Sequence, residues 1–147
     1  MPTSHPIIAM PKPARAKPGM HYTVSIPKPT THNFEVQVDL TRLNGLMVDL
    51  RIPAWTPGSY KIREFARNVS LFKASAGSRA LRVERMDKDC WRIYLNGAKA
   101  VRVTYQCYAF ELSVRTPHLD DSHGFFLPTN ILPYIEGAID TPSTLTI

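Results

Sequence analysis

Val101-Arg102-Val103-Thr104-Tyr105-Gln106-Cys107-Tyr108-Ala109 is the longest clean alternation in the chain. Val101, Val103, Tyr105, Cys107 and Ala109 fall on one side of an extended backbone, and Arg102, Thr104, Gln106 and Tyr108 on the other. A period of two means a strand with one face buried and one face wet. The same period recurs outward from this stretch. Tyr22, Val24 and Ile26 alternate with Thr23 and Ser25. Phe34, Val36, Val38 and Leu40 alternate with Glu35, Gln37 and Asp39. Leu46, Val48, Leu50 and Ile52 alternate with Met47, Asp49 and Arg51. Val69, Leu71 and Phe72 lead a strand ended by Gly77-Ser78, Leu81 and Val83 form a short one, and Trp91, Ile93 and Leu95 alternate with Arg92 and Tyr94. Asn44-Gly45 and Asn96-Gly97 are strong hairpin signals. Successive strands joined by short turns predict an all-β fold, antiparallel sheets packed as a sandwich.

One segment departs from this period. Ile62, Phe65, Ala66 and Val69 are spaced i, i+3, i+4, i+7, which predicts a short helix or helical turn near residues 60–68, with Ser59 as its cap. It follows Trp55-Thr56-Pro57-Gly58-Ser59-Tyr60, where Pro57 and Gly58 signal a type II turn. A surface turn does not need two large aromatics beside it. Trp55 and Tyr60 read either as core packing at a strand end or as an interface. Arg63 and Arg67, four apart, share a helix face and suit bidentate contact with carboxylates, or else form a solvated face.

The 147 residues fit one domain, large enough to bury roughly two-thirds of the surface its unfolded chain exposes. Thirteen prolines suit a β protein rich in turns better than a helical bundle. Three of the charges behind the net +6, Lys12, Arg15 and Lys17, lie in a stretch without Asp or Glu, so half of the excess belongs to a tail. That leaves too modest a charge to argue for nucleic acid. Residues 1–19, with five prolines and no apolar core of a signal peptide, read as a disordered tail, and 20–147 as the folded domain. Met20 is a second candidate for the natural start. No run approaches the ~20 apolar residues of a membrane span, so no membrane partner is expected. Cys90 and Cys107, flanked by large apolar residues, read as two buried reduced thiols ahead of a bridge. Together with the lack of a leader, this places the protein in the cytoplasm.

The chemistry-bearing motifs are mostly absent. There is no H-E-x-x-H pair, no phosphate-binding glycine loop, no G-x-S-x-G elbow and no paired-cysteine metal site. The one dense polar cluster is His118-Leu119-Asp120-Asp121-Ser122-His123-Gly124. It reads first as a solvated turn built on an Asx motif, and second as a divalent metal site using His118, Asp120 and His123, which makes a small metalloenzyme one alternative. Another is an autonomous module binding peptide or carbohydrate on a face carrying Tyr94 and Tyr108.

Several ordered motifs resemble one family. They are Tyr22-Thr23-Val24 leading to Pro29-x-x-His32, Trp55-Thr56-Pro57-Gly58-Ser59-Tyr60 with Ile62-Arg63-Glu64-Phe65-Ala66-Arg67-Asn68-Val69, and Asp87-Lys88-x-x-Trp91. Tyr105-x-x-Tyr108-Ala109, Ser113-Val114-Arg115, and Leu119-Asp120 before Gly124-Phe125-Phe126 complete the set. From about Met20 to Ile147 the chain resembles the N-terminal domain of the glycyl aminopeptidases, zinc metallopeptidases that also carry a PDZ domain. The resemblance implies a β domain like the one preceding the thermolysin-like catalytic domain of zinc aminopeptidases. It also implies that the zinc ligands and general base lie downstream, so that this chain has no catalytic residues, cofactor or metal of its own. The implied partner is the catalytic domain, with peptide substrate touched only indirectly. Trp55, Pro57, Gly58, Tyr60, Arg63 and Arg67 are the candidates for the domain interface or cleft wall.

Overall fold

The computed structural model describes residues 17–54, 64–113 and 116–147. In chain order their strands are β1 (Gly19–Ser25), β2 (Asn33–Thr41), β3 (Met47–Arg51), β4 (Val69–Ala76), β5 (Arg79–Leu81), β6 (Val83–Asp87) and β7 (Cys90–Tyr94). There follow β8 (Val101–Tyr108), β9 (Phe110–Ser113), β10 (Thr116–Leu119), β11 (Gly124–Phe125), β12 (Tyr134–Ile135) and β13 (Ser143–Thr146). Among the described residues, helical structure is confined to 3₁₀ turns at Pro29–Thr31 and Phe65–Asn68 and the single-turn helix α1 (Pro128–Ile131). The strands form a six-stranded sheet in the order β13-β1-β2-β8-β4-β5, a four-stranded sheet β12-β3-β7-β6, and a small sheet β11-β10-β9. Every pairing is antiparallel except that of β1 with β13. The architecture is therefore the sandwich-like all-β fold that the alternation predicts.

β8 lies at the heart of the larger sheet, between β2 and β4. Val101, Val103, Tyr105 and Cys107 are buried while Arg102, Thr104 and Tyr108 are exposed, as a half-buried strand requires. Their inward side chains meet Val36, Val38 and Leu40 of β2 and Val48, Leu50 and Ile93 of the facing sheet in one core cluster. Phe72 of β4 stacks on Tyr105 of its own sheet (5.6 Å) and on Trp91 of the other (4.9 Å), so three rings tie the layers together. Cys90 and Cys107 are buried free thiols on different sheets. Burial pushes the Cys107 thiol up to about 12.

Both Asn-Gly signals need correction. Neither closes a hairpin, because β2 and β3 lie in different sheets, as do β7 and β8. The two segments instead stay paired through a bend: Leu43 N–H donates to Lys99 O and Leu95 N–H to Leu46 O, each at 2.9 Å. The β2–β8 pairing ends at Leu40↔Val101, and the β3–β7 pairing begins at Met47↔Tyr94. One two-stranded ribbon thus passes from sheet to sheet, with Gly45 (φ 93°) and Gly97 (φ 85°) at its corner. Such corners are made where strands switch sheets through left-handed or bulged residues. Asn-Gly dictates a local φ, not the identity of the partner strand. The short strand expected at Leu81 and Val83 divides for a related reason: β5 and β6 belong to different sheets, and the chain crosses at Arg82. In β4 the register shifts between Ser70 and Lys73, Leu71 takes φ 55°, and its side chain turns outward.

The predicted helical turn is the 3₁₀ turn Phe65–Asn68. Phe65 and Ala66 are buried in a second apolar cluster with Ile52 and Trp91, while Arg67 is exposed. No helix among the described residues is long and apolar enough to cross a membrane.

Candidate functional site

Trp55, Pro57, Gly58, Tyr60 and Arg63, as well as the Ser59 cap and Ile62, lie outside the described residues. The chain leaves at Ala54 and returns at Glu64, and both residues line one cavity of about 310 Å³. Its floor is polar. Arg51 donates from Nη1 to Asp89 Oδ1 at 2.5 Å and from Nε to Glu136 Oε2 at 2.7 Å, with Asp87 Oδ2 3.9 Å away. The Glu136 hydrogen bond, ahead of the neighbouring charges, holds the Arg51 guanidinium protonated well above its ordinary range. Lys88 pairs with Glu64 at 3.3 Å, and Arg85 lies over the Trp91 ring at 4.9 Å. Arg67 and Arg85, which both line this cavity, make no ion pair among the described residues.

A second cavity, of about 630 Å³, adjoins the first through Pro53, Ala54 and Asp89. Its walls are mostly apolar: Leu132, Pro133, Ile139 and Leu145 join Pro53 and Ala54. Ile139 is 78% exposed and Leu145 41%. Clustered exposed apolar residues beside a polar rim mark an interaction surface. This groove is built by residues far apart in sequence. Tyr22 fixes its base by donating from its hydroxyl to Pro133 O at 2.5 Å, and the buried Tyr105 hydroxyl donates to Ile131 O. Sequence reading passed over the groove because its last wall, Pro128 to Leu145, has no sustained alternation. The only signal was a run of large apolar residues and prolines without a period.

In the small sheet, the turn between β10 and β11 is the Asx motif expected. Asp120 Oδ1 accepts from Ser122 N–H (2.7 Å), Ser122 Oγ (2.6 Å) and His123 N–H (2.9 Å). The turn also draws two imidazoles toward the same carboxylate: His118 Nε2 is 3.0 Å from Oδ2 and His123 Nδ1 3.5 Å from Oδ1. These hydrogen bonds, from Ser122 first and then His118, hold the Asp120 carboxyl far below the usual carboxylate range.

Tyr94 and Tyr108 do not share a face. Tyr94 is on β7 of the four-stranded sheet, donating to Glu84 at 2.7 Å beneath Arg82, and Tyr108 is on β8 of the other sheet. The residues present do not fit a peptidase zinc. The chain has no His-Glu dipeptide for an H-E-x-x-H pair, and α1, the one α-helix among the described residues, is a single turn of Pro-Thr-Asn-Ile.

The family model described as the peptidase M61 N-terminal domain matches residues 21–147. The crystal structure of an aminopeptidase N family protein from Idiomarina loihiensis superposes with a TM-score of 0.80 at 32% identity, over 86% of this chain and 21% of that one. The present chain therefore spans about a fifth of that relative's length. No curated protein matches the chain.

Proposed function

Because the chain belongs to the peptidase M61 N-terminal domain family, we propose that it acts as the non-catalytic N-terminal β domain of a glycyl-aminopeptidase-type zinc metallopeptidase, packed on the catalytic part and walling its peptide cleft. The observation that carries this reading is the apolar groove edged by Ile139 and Leu145, continuous with the charged cavity beneath Arg67. An apolar surface of this kind gains by exclusion from water, and the neighbouring Arg67 guanidinium suits a carboxylate on the docked domain or on a peptide. The stretch 55–63 lies between Ala54, which lines both surfaces, and Glu64, which lines the charged one, and is assigned to the same contact through Trp55, Pro57, Gly58, Tyr60 and Arg63. Zinc, bound elsewhere in such an enzyme, supplies carbonyl polarisation and an activated water; this domain's residues supply docking and shape. The same reading carries with it a PDZ domain in the whole enzyme and a cytoplasmic location, the latter in keeping with two buried free thiols.

The test is made in the full-length enzyme. Ile139→Asp, Trp55→Ala and Arg67→Ala are each expected to lower kcat/KM or the melting temperature, while zinc content stays unchanged. Unaltered kinetics and melting in all three overturn the assignment.

A further inference from the structure

Six strands edge the three sheets of the described residues: β13 and β5, β12 and β6, β11 and β9. An edge strand exposes a row of unpaired N–H and C=O groups, and proteins blunt such edges with charges, bulges or brevity. Every edge but one is blunted here. β5 opens on Arg79, β6 carries Glu84, Arg85 and Asp87 and shifts register between the last two, and β9 contains Glu111. β11 and β12 are two residues long. β13 is the exception: Ser143-Thr144-Leu145-Thr146 has no charge and no proline, and keeps an unbroken register along β1.

The ladder decides which backbone groups of β13 are spare. β13 runs parallel to β1, with Met20 opposite Ser143 and Tyr22 opposite Leu145, and Met20 N–H donates to Pro142 O at 3.0 Å. Only alternate residues of a strand turn their N–H and C=O toward a given neighbour. Thr144 therefore faces β1, and Ser143 and Leu145 aim their N–H and C=O at the open edge. Side chains alternate as well. Thr144 and Thr146 stand on the outer face, where His21 bonds both hydroxyls, through Nδ1 at 2.5 Å and Nε2 at 3.2 Å. Leu145 shares the opposite face with Tyr22 and lines the groove of about 630 Å³. The strand is thus held firmly on its paired side, while its free side borders apolar surface.

We infer that an added strand completes this edge: an extended segment of the peptidase part pairs with β13 and lays alternate apolar side chains into the groove. This rests on the docking reading above and names the form of the partner. Continuity decides the occupant. Edge and groove share Ser143, Thr144 and Leu145, so a segment that seals one covers the other. The Idiomarina loihiensis relative has most of its length outside the matched part, which is ample chain to supply such a segment. In strand addition the main-chain bonds give affinity, and pockets for alternate side chains give specificity. An uncharged edge beside an apolar groove selects a strand that is uncharged and apolar on its groove side.

The test compares Leu145→Pro with Leu145→Ala in the full-length enzyme and in the 147-residue chain. Both variants shorten the side chain in the groove. Only proline also removes the outward N–H, at an edge position that tolerates it. In the full-length enzyme Leu145→Pro is expected to melt about 2–4 °C below Leu145→Ala, and in the 147-residue chain the two should melt together. The Ser143 and Leu145 amides should exchange hydrogen at least about tenfold more slowly in the full-length enzyme than in the shorter chain, with the Thr144 amide little changed. Equal melting of the two variants in the full-length enzyme overturns the added strand; the docking reading survives that result if Ile139→Asp still lowers melting there. An equal proline penalty in both proteins overturns it too, because the Leu145 N–H then serves β1. So does protection of these amides in the 147-residue chain that grows with concentration, which seats a second copy on the edge.

Discussion

Tyr22 and Tyr105 show how much one hydroxyl decides. The alternation places both on inward positions, and they are inward. What it cannot convey is that each ring carries a polar tip into the core, and that the tips find the carbonyls of Pro133 and Ile131. Those two bonds hold α1 and the groove wall against the large sheet. Burial raises the Tyr22 phenol from 10.0 to about 12, and lifts Tyr105 well above its ordinary value. Cys107 moves in the same direction, from 9.0 to about 12. All three groups are neutral when protonated, and the fold favours that form. As pH rises past about 9 and then 10, the unfolded chain releases protons that the native chain keeps, so the unfolded state gains. These three groups add no pH dependence below about pH 8, and stability is expected to fall steadily between about pH 9 and 12, measured by urea melts across that range. Tyr22→Phe should flatten the fall above pH 10 while costing about 1 kcal/mol at pH 7 through the abandoned Pro133 carbonyl. At the same scale, neither thiol should react with a disulfide reagent until the chain is unfolded. Rapid labelling of Cys107 in the native protein contradicts its burial.

At the scale of elements, strands such as β1, β2, β3, β7 and β8 were legible and their partners were not. Alternation identifies each inward face because the side-chain period is a local property. Sheet membership is a long-range property, decided by which faces can be buried together. The ribbon of β2–β3 and β7–β8 changes sheet at Gly45 and Gly97, and a hairpin signal cannot distinguish that corner from a tight reversal. A Cβ at either glycine meets nothing within 4 Å, so a substitution there tests the backbone alone. Gly97→Ala, at φ 85°, is expected to cost roughly 1–2 kcal/mol in chemical denaturation. The converse holds in β4. Leu71 is 62% exposed and held at φ 55° by the bulge, a conformation leucine resists. Leu71→Gly removes that strain together with an exposed apolar side chain. It should stabilise the chain by up to about 1 kcal/mol, less the extra backbone entropy that glycine loses on folding. A destabilisation larger than that entropy term implies that the leucine packs in the native state.

For the whole molecule, the sequence made the double layer legible through repeated half-buried strands, and it made the 65–68 turn legible through Phe65 and Ala66. It left the groove unread, because that surface exists only once β1, the end of β3 and the last twenty residues are brought together. It made the Asx turn at Asp120 legible, but spacing along the chain says nothing of two imidazoles folding back on one carboxylate. The distinction that matters at this scale is between apolar surface that holds the layers together and apolar surface left for something else. Phe72 and Ile139 separate the two. Phe72 is partly exposed yet stacked between Trp91 and Tyr105 of opposite sheets, so Phe72→Ala should cost about 3 kcal/mol in the 147-residue chain. Ile139 is larger in exposed area and has no such role, so Ile139→Asp should shift the same unfolding curve by no more than about 0.5 kcal/mol. It should nevertheless reduce binding of a hydrophobic dye and any self-association seen by light scattering, since a charge then sits on the rim of the groove. Should Ile139→Asp instead destabilise the isolated chain as strongly as Phe72→Ala, the groove rim belongs to the core of this domain, and the docking surface has to be sought on the Arg67 side alone.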